Sequence, residues 1–337
     1  MALLHIHNGD AAAAIARKSP LAGEHLAWRE SLVTGPTPAG LSAAEWRLIR
    51  AKHLAESYGV DEPKCERSLA QQEAVLASAS DYNEVVLWFE HDLFCQLHLL
   101  YLLDWFSRHG LGQATLSLIC IGEFPEKENF RGLGELSPAE LASLFPARTK
   151  VTPAQMTLAA MAWQAYCGAD PSALKRILAD DTAPLPFLRP ALTAHLARFP
   201  ATRNGLGHIE NRALELVAEG VSGFSDLFAR FSSSESIYGF GDAQFWLALS
   251  GLTLARTPLL TISGLTTSAF PRALTREVIE HATLAVTDSG HSVRKGETDF
   301  VALNGSDQWL GGVHLDDPKR LWRWSEASQT LEVASRE

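Results

Sequence analysis

The sequence predicts an α/β fold: an N-terminal open, mostly parallel sheet with helices on both faces, followed by a helical region, a winged-helix-like unit and a small antiparallel β tail. Three observations carry this. From residue 3 to about 124, short apolar runs alternate with helical stretches, and parallel strands need such crossovers to pair. The run Glu84-Val-Val-Leu-Trp-Phe89 is continuously apolar, as strands buried on both faces are. Beyond residue 136 the spacing turns helical, and near residue 282 it gives way to turn-rich alternation. The 337 residues exceed a typical domain of about 100–200 residues. The units are placed at 1–135, 136–204 and 205–337.

Residues 3–7 form the first predicted strand, ended by Asn8-Gly9-Asp10, and the alanine-rich stretch 11–17 the first helix. Asp10 is the expected N-cap, because a carboxylate there satisfies free backbone N–H groups. Residues 26–28 are the second strand, 41–58 and 64–78 two helices, 84–89 the third strand. Residues 93–109 read as a helix apolar almost all round, hence deeply packed. The fourth strand is 115–121. Helices follow at 137–144, 152–166, 171–178 and 188–198; Thr152 before Pro153, with Gln155 at the capping-box position, starts the second. Three helical stretches (208–219, 224–231, 242–254) and a strand at 258–262 suggest the winged-helix-like unit. The tail, 282–333, carries turn signals at Asn304-Gly305 and Gly311-Gly312 and should form a small antiparallel sheet.

Composition is that of a globular protein, 46% hydrophobic and 20% charged. The formal charge of −10 opposes a general affinity for nucleic acid or anionic membrane. The apolar region around 85–106 is broken by Glu90, His91, Asp92, Gln96 and Asp104, so a membrane span is not expected. No basic leader precedes the first strand. Cys65, Cys95, Cys120 and Cys167 lie far apart, which fits reduced thiols and a cytoplasmic location.

Ligands of open α/β sheets sit outside the carboxyl ends of the strands, where helix N-termini also point. Asn8, Gly9 and Asp10 follow the first strand there, Arg29 and Glu30 the second, Glu90, His91 and Asp92 the third, and Glu123 the fourth. Carboxylates with an imidazole can hold a divalent cation or supply an acid–base pair. The expected ligands are Asp10, Glu90 and Asp92, for Mg, Mn or Zn. His91 and Asp92 are the catalytic candidates; Asn8, Gly9, Arg29 and Trp88 are assigned to substrate. Bland roles compete with these: Asp10 and Asp92 as N-caps, and a salt bridge between Arg29 and Glu90.

Other motifs carry less. His5-Ile6-His7 matches the His-x-His of barrel metallohydrolases, but no eightfold strand–helix alternation follows, so a packed pair is expected. His208-Ile209-Glu210 lacks the Pro-Cys-x-x-Cys half of a zinc deaminase and reads as a helix start. There is no P-loop, no Gly-x-Ser-x-Gly, no His-Glu-x-x-His and no three-glycine dinucleotide fingerprint. Between residues 206 and 264, three arginines face six acidic residues, net −3, and the third helix has no Lys or Arg. Phosphate neutralisation dominates DNA affinity, so DNA binding is disfavoured.

His5 with Asn8-Gly9-Asp10, the string Val85-Val-Leu-Trp-Phe-Glu-His-Asp-Leu-Phe94, and Leu116-Ser-Leu-Ile-Cys-Ile121 together resemble an uncharacterised bacterial family, domain of unknown function 1835. Leu141-Ala-Ser-Leu-Phe145, Leu185-Pro-Phe-Leu188 and Asn204-Gly-Leu206 extend the likeness. Gly241-Asp242 with Phe245-Trp246, and Pro258-Leu-Leu260, resemble the C-terminal domain of unknown function 3658 that accompanies it. The resemblance implies a two-domain layout and no established activity. It also implies an apolar residue where His7 stands and an acidic one where Cys95 stands, which weakens both as ligands.

The expected function is that of a metal-assisted hydrolase or transferase acting on a small phosphorylated or nucleotide-like substrate. The rival is a non-enzymatic ligand-sensing regulatory or scaffold protein whose winged-helix-like unit contacts a protein partner.

Overall fold

The computed structural model describes residues 2–125, 127–128, 130–266, 273–317 and 320–335. The chain opens with β1 (Leu3–Asn8), α1 (Gly9–Ala16), β2 (Glu24–Trp28), α2 (Ala43–Tyr58), α3 (Glu62–Ala77), β3 (Glu84–Glu90), α4 (Leu93–His109) and β4 (Thr115–Ile121). Then come α5 (Pro138–Ser143), β5 (Thr149–Lys150), α6 (Pro153–Cys167), α7 (Ser172–Ala179) and α8 (Leu188–Leu196). These strands form one sheet in the order β2-β1-β3-β4-β5, with β1 to β4 parallel and the short β5 antiparallel at the edge. The chain steps outward from β1 to β2 and back across to β3, so the topological switch point lies between β1 and β3.

Strand alternation sorts the core. Leu4, Ile6, Val85, Leu87 and Phe89 join the large apolar cluster that α4, α6 and α8 also feed. Val86, Trp88 and Ile119 point to the other face, under α1 and α5. Both faces are therefore covered, as the unbroken apolar run of β3 requires. In α4 every residue from Cys95 through Phe106 is buried, the all-round packing its composition predicts. The large apolar cluster continues without a break into Leu331 near the end of the chain.

The remaining elements are α9 (His208–Ala218), α10 (Phe224–Ser234), α11 (Asp242–Thr253), β6 (Leu260–Ser263), α12 (Arg276–His281), β7 (Thr283–Val286), α13 (Asp288–Arg294), α14 (Phe300–Asn304), β8 (Gln308–Leu310), β9 (Val313–Leu315), β10 (Arg320–Ser325) and β11 (Thr330–Ser335). Helices α9 to α11 are followed by the antiparallel pair β6–β7, with Gly223 bridged to Thr283. The tail is not a single sheet: β8–β9 and β10–β11 are separate two-stranded pairs, α13 and α14 interrupt it, and the short α12 precedes it. The helices escape sequence reading because they are only 5 to 7 residues long, too short to show a period. Strand β5 escapes it for the same reason. No helix among the described residues is long and apolar enough to cross a membrane.

Candidate metal centre and adjoining cavity

Strand β3 ends by delivering Glu90 to the sheet's carboxyl edge, and Asp92 then caps α4, accepting from the Cys95 backbone N–H at 2.9 Å. That cap fixes Cys95 in the first turn of the helix. Ligand atoms of Glu90, Asp92 and Cys95 all lie within 4.8 Å of one another, and all three residues are buried. This group can hold a metal ion. It stands beside the switch point, where Asn8 at the end of β1 completes it.

The hydrogen bonding is tight. The Cys95 thiol donates to Glu90 Oε2 at 2.6 Å, and Asn8 Nδ2 donates to Cys95 Sγ at 2.7 Å. Glu90 Oε1 accepts from the Leu133 backbone N–H at 2.7 Å. Asn8 Oδ1 meets His98 Nδ1 at 2.8 Å, while the buried His98 Nε2 has no partner. Burial, then the neighbouring Asp92, pushes the Glu90 carboxyl up to about 7. Burial likewise raises Asp92 and holds the Cys95 thiol well above its ordinary value. Desolvation lowers His98 to about 3, so its imidazole is neutral at physiological pH.

Two glycines press on the carboxylates. A Cβ at Gly132 would lie 2.9 Å from Glu90 Oε1. Gly239, in the left-handed region at φ +62°, would place a Cβ 2.0 Å from Asp92 Oδ1. The chain between α10 and α11 therefore seals the site that β3 and α4 build.

A separate cavity of about 430 Å³, in the size range of small-molecule sites, is lined by none of the three donors. Its walls include Gly9 and Phe94, the chain neighbours of Asn8 and Cys95, together with Trp28, Arg29, Lys64 and Gln244. At Gly9 a Cβ would meet nothing within 4 Å, so the backbone is open to the cavity side. Gln244, from α11, reaches the Tyr58 hydroxyl at 3.2 Å and ties the C-terminal region to this wall.

The sequence-predicted residues divide. Glu90 and Asp92 converge, and Asn8 joins them. Asp10 does not. Helix α1 begins two residues earlier than expected, with Asn8 as its cap position, so Asp10 falls in the first turn. There it is largely exposed and ion-pairs with Arg29 at 2.6 Å. Arg29 is accordingly committed to Asp10 and not to Glu90, although it still lines the cavity with Gly9. Trp88 lies off the site: it is fully buried on the other face, donating to His5 Nδ1 at 3.1 Å and stacked on His7. Strand parity explains this, because Trp88 shares its side of β3 with Val86. His91 neighbours Asp92 in sequence, yet its ring packs edge-on against Phe187 and it is not one of the three grouped donors. His5 and His7 are a packed pair, wholly buried, with His7 Nε2 3.0 Å from His25 Nδ1.

Sequence reasoning discounts Cys95 and passes over His98 and Gly239. The spacing Asp92-x-x-Cys95-x-x-His98 puts three polar groups on one stripe of α4, and that is the available signal. Nothing local in the sequence marks Gly239 as a neighbour of Asp92.

No family model matches this chain, and no curated protein matches it. Its function is therefore read from the geometry.

Proposed function

We propose that this protein is a zinc-dependent hydrolase or transferase acting on a small phosphorylated or nucleotide-like substrate, with the ion held by Glu90, Asp92 and Cys95. The observation that carries this reading is the buried convergence of two carboxylates and a thiol; a ligand-sized cavity has Gly9 and Phe94, chain neighbours of Asn8 and Cys95, in its wall. The thiol selects among the expected ions: a cysteine donor suits zinc, whereas magnesium takes oxygen donors. Donors around a tetrahedral zinc sit about 3.5 Å apart, so the widest separation closes by at most about 1.3 Å while Cys95 Sγ and Glu90 Oε2, 2.6 Å apart, open. Three protein ligands leave a fourth position, as in catalytic zinc sites. Bound there, the ion would polarise a substrate oxygen.

The chain's own residues supply the rest. Asn8, fixed between Cys95 and His98, orients the thiol. Because Cys95 is protonated when it donates to Glu90, ion binding releases a proton and strengthens as pH rises. Arg29, Lys64 and the open backbone at Gly9 would receive the anionic part of the substrate, and Trp28 and Phe94 its apolar part.

The test is calorimetric titration of the full chain with Zn, Mn and Mg, followed by release of p-nitrophenol from p-nitrophenyl phosphate. Zinc is expected to bind most tightly, and Glu90→Ala with Cys95→Ala to weaken it at least about a hundredfold (roughly 2.7 kcal/mol or more). Binding of no ion below about a millimolar, or undiminished binding in the double variant, sinks the metal centre. Tight zinc binding without turnover sinks the enzyme and leaves a second reading.

That second reading is a ligand-sensing regulatory protein, and one observation favours it. Helix α11, the third of the winged-helix-like set, docks through Gln244 on the cavity wall, so occupancy of the cavity would be felt by the C-terminal unit. A protein partner fits that unit better than DNA, since α11 carries no basic residue.

A further inference from the structure

The seam between the sheet domain and the C-terminal region buries a cation that makes no ion pair among the described residues. Arg198, just after α8, is 8% exposed, and its Nη1 has no hydrogen-bond partner. Among the described residues no carboxylate ion-pairs with it. The Phe240 ring lies 5.7 Å from its guanidinium carbon, and the neighbouring Tyr166 hydroxyl spends its proton on the Leu32 carbonyl at 2.7 Å. A guanidinium cannot deprotonate to escape burial, so an unpaired one is costly. The same fold satisfies another buried arginine fully. Arg50, wholly buried, meets Glu30 at 2.8 Å and three backbone carbonyls.

Arg198 borders a cavity of about 320 Å³ whose walls also include His53, Phe240 and Trp309. The two carboxylates on its rim do not supply the missing charge. Asp307 is exposed and paired with His314 at 2.8 Å; burial raises the Glu210 carboxyl while Arg198 opposes that rise from beyond ion-pair distance. His53 adds no second cation: its ring nitrogens face the Thr34 and Ser57 hydroxyls, at 3.1 and 3.3 Å.

We propose that this cavity binds the oxyanion of a small ligand, a carboxylate or a phosphate, with Arg198 as its counter-ion. The planar fork of Arg198 matches the paired oxygens of either group, and the ligand body lies among the Phe240 and Trp309 rings. The site is separate from the Glu90–Asp92–Cys95 centre and does not depend on it.

Calorimetric titration of the full chain with sodium phosphate and with sodium succinate, at fixed ionic strength, tests this. One of the two is expected to bind saturably, with a dissociation constant below about a millimolar, and which one it is identifies the oxyanion. Arg198→Met should weaken that binding at least about tenfold, while Lys175→Met, on the exposed side of α7, leaves it unchanged. Arg198→Met should also be no less stable than the parent in anion-free buffer, because it removes an unpaired buried charge. Arg198→Lys, which keeps the charge and loses the fork, should bind more weakly than the parent. No saturable binding of either anion by the unmodified chain overturns the proposal. So does loss of binding in Arg29→Met, at the other cavity, with no loss in the Arg198 variants.

Discussion

Lowering the pH from 7 to 5 is expected to unfold this protein cooperatively. Besides the partly buried His25, which is also shifted down, five histidines are held neutral in the fold, each chiefly by desolvation. His5 is lowered to about 4, His7 to about 2, His53 and His98 to about 3, and His195 well below its ordinary value. In the unfolded chain all five bind protons near pH 6.5, whereas the folded chain excludes them. A depressed folded value means the stabilisation is complete above pH 6.5 and is lost as the pH falls toward the folded values. One pH unit below 6.5, each site forfeits up to about 1.4 kcal/mol, so five forfeit up to about 7 kcal/mol, comparable with the whole stability of many domains. Glu90 acts in the opposite sense. Its carboxyl is raised to about 7, so it stabilises the fold below about 4.5 and ceases to as the pH rises through 7. Asp92, Glu210 and His208 are raised too and act in the same sense, so these groups together offset part of the histidines' loss. Circular dichroism from pH 7.5 to 4.5 checks this; an unchanged urea midpoint down to pH 5 would contradict it.

Arg50→Ala is expected to destabilise the fold by about 3–5 kcal/mol, the cost of leaving a buried charge without its partner. Arg50 and Glu30 are almost wholly buried. Together with bonds to the Ser31, Thr34 and Pro36 carbonyls, they fix the loop after β2. That loop walls both cavities, through Ser31 on one side and Thr34 on the other. Adding Glu30→Gln to Arg50→Ala should recover part of the loss, since the orphaned carboxylate is its largest component. Urea denaturation of the single and double variants measures both. A loss below about 1 kcal/mol in the single variant would show the pair to be incidental.

The sheet is legible in the sequence because its strands are short apolar runs ended by polar residues, and its helices are long enough to show a period. Strand β3, helix α4 and strand β4 sit where their residues place them. The candidate site is legible only in part. Glu90 and Asp92 follow directly from the end of β3, whereas the expectation for Asp10 fails through a shift of the α1 start. Which carboxylate turns inward depends on such a shift, and helix boundaries are weakly encoded locally. Cys95 is discounted by the family resemblance, which implies an acid there, yet its thiol hydrogen-bonds Glu90 Oε2. Gly239 and Leu133 reach the site from distant parts of the chain, by packing that no local pattern announces.

That Glu90, Asp92 and Cys95 together bind a metal ion is the central claim. Titration with Co(II), followed by absorption spectroscopy, tests it most directly, because a thiolate ligand adds a near-ultraviolet charge-transfer band that oxygen donors do not. The expected result is one equivalent of cobalt with that band, displaced by zinc, and lost in Cys95→Ser while Cys120→Ser and Cys65→Ser retain it. Cobalt binding without the band, or a band that survives in Cys95→Ser, would contradict the assignment.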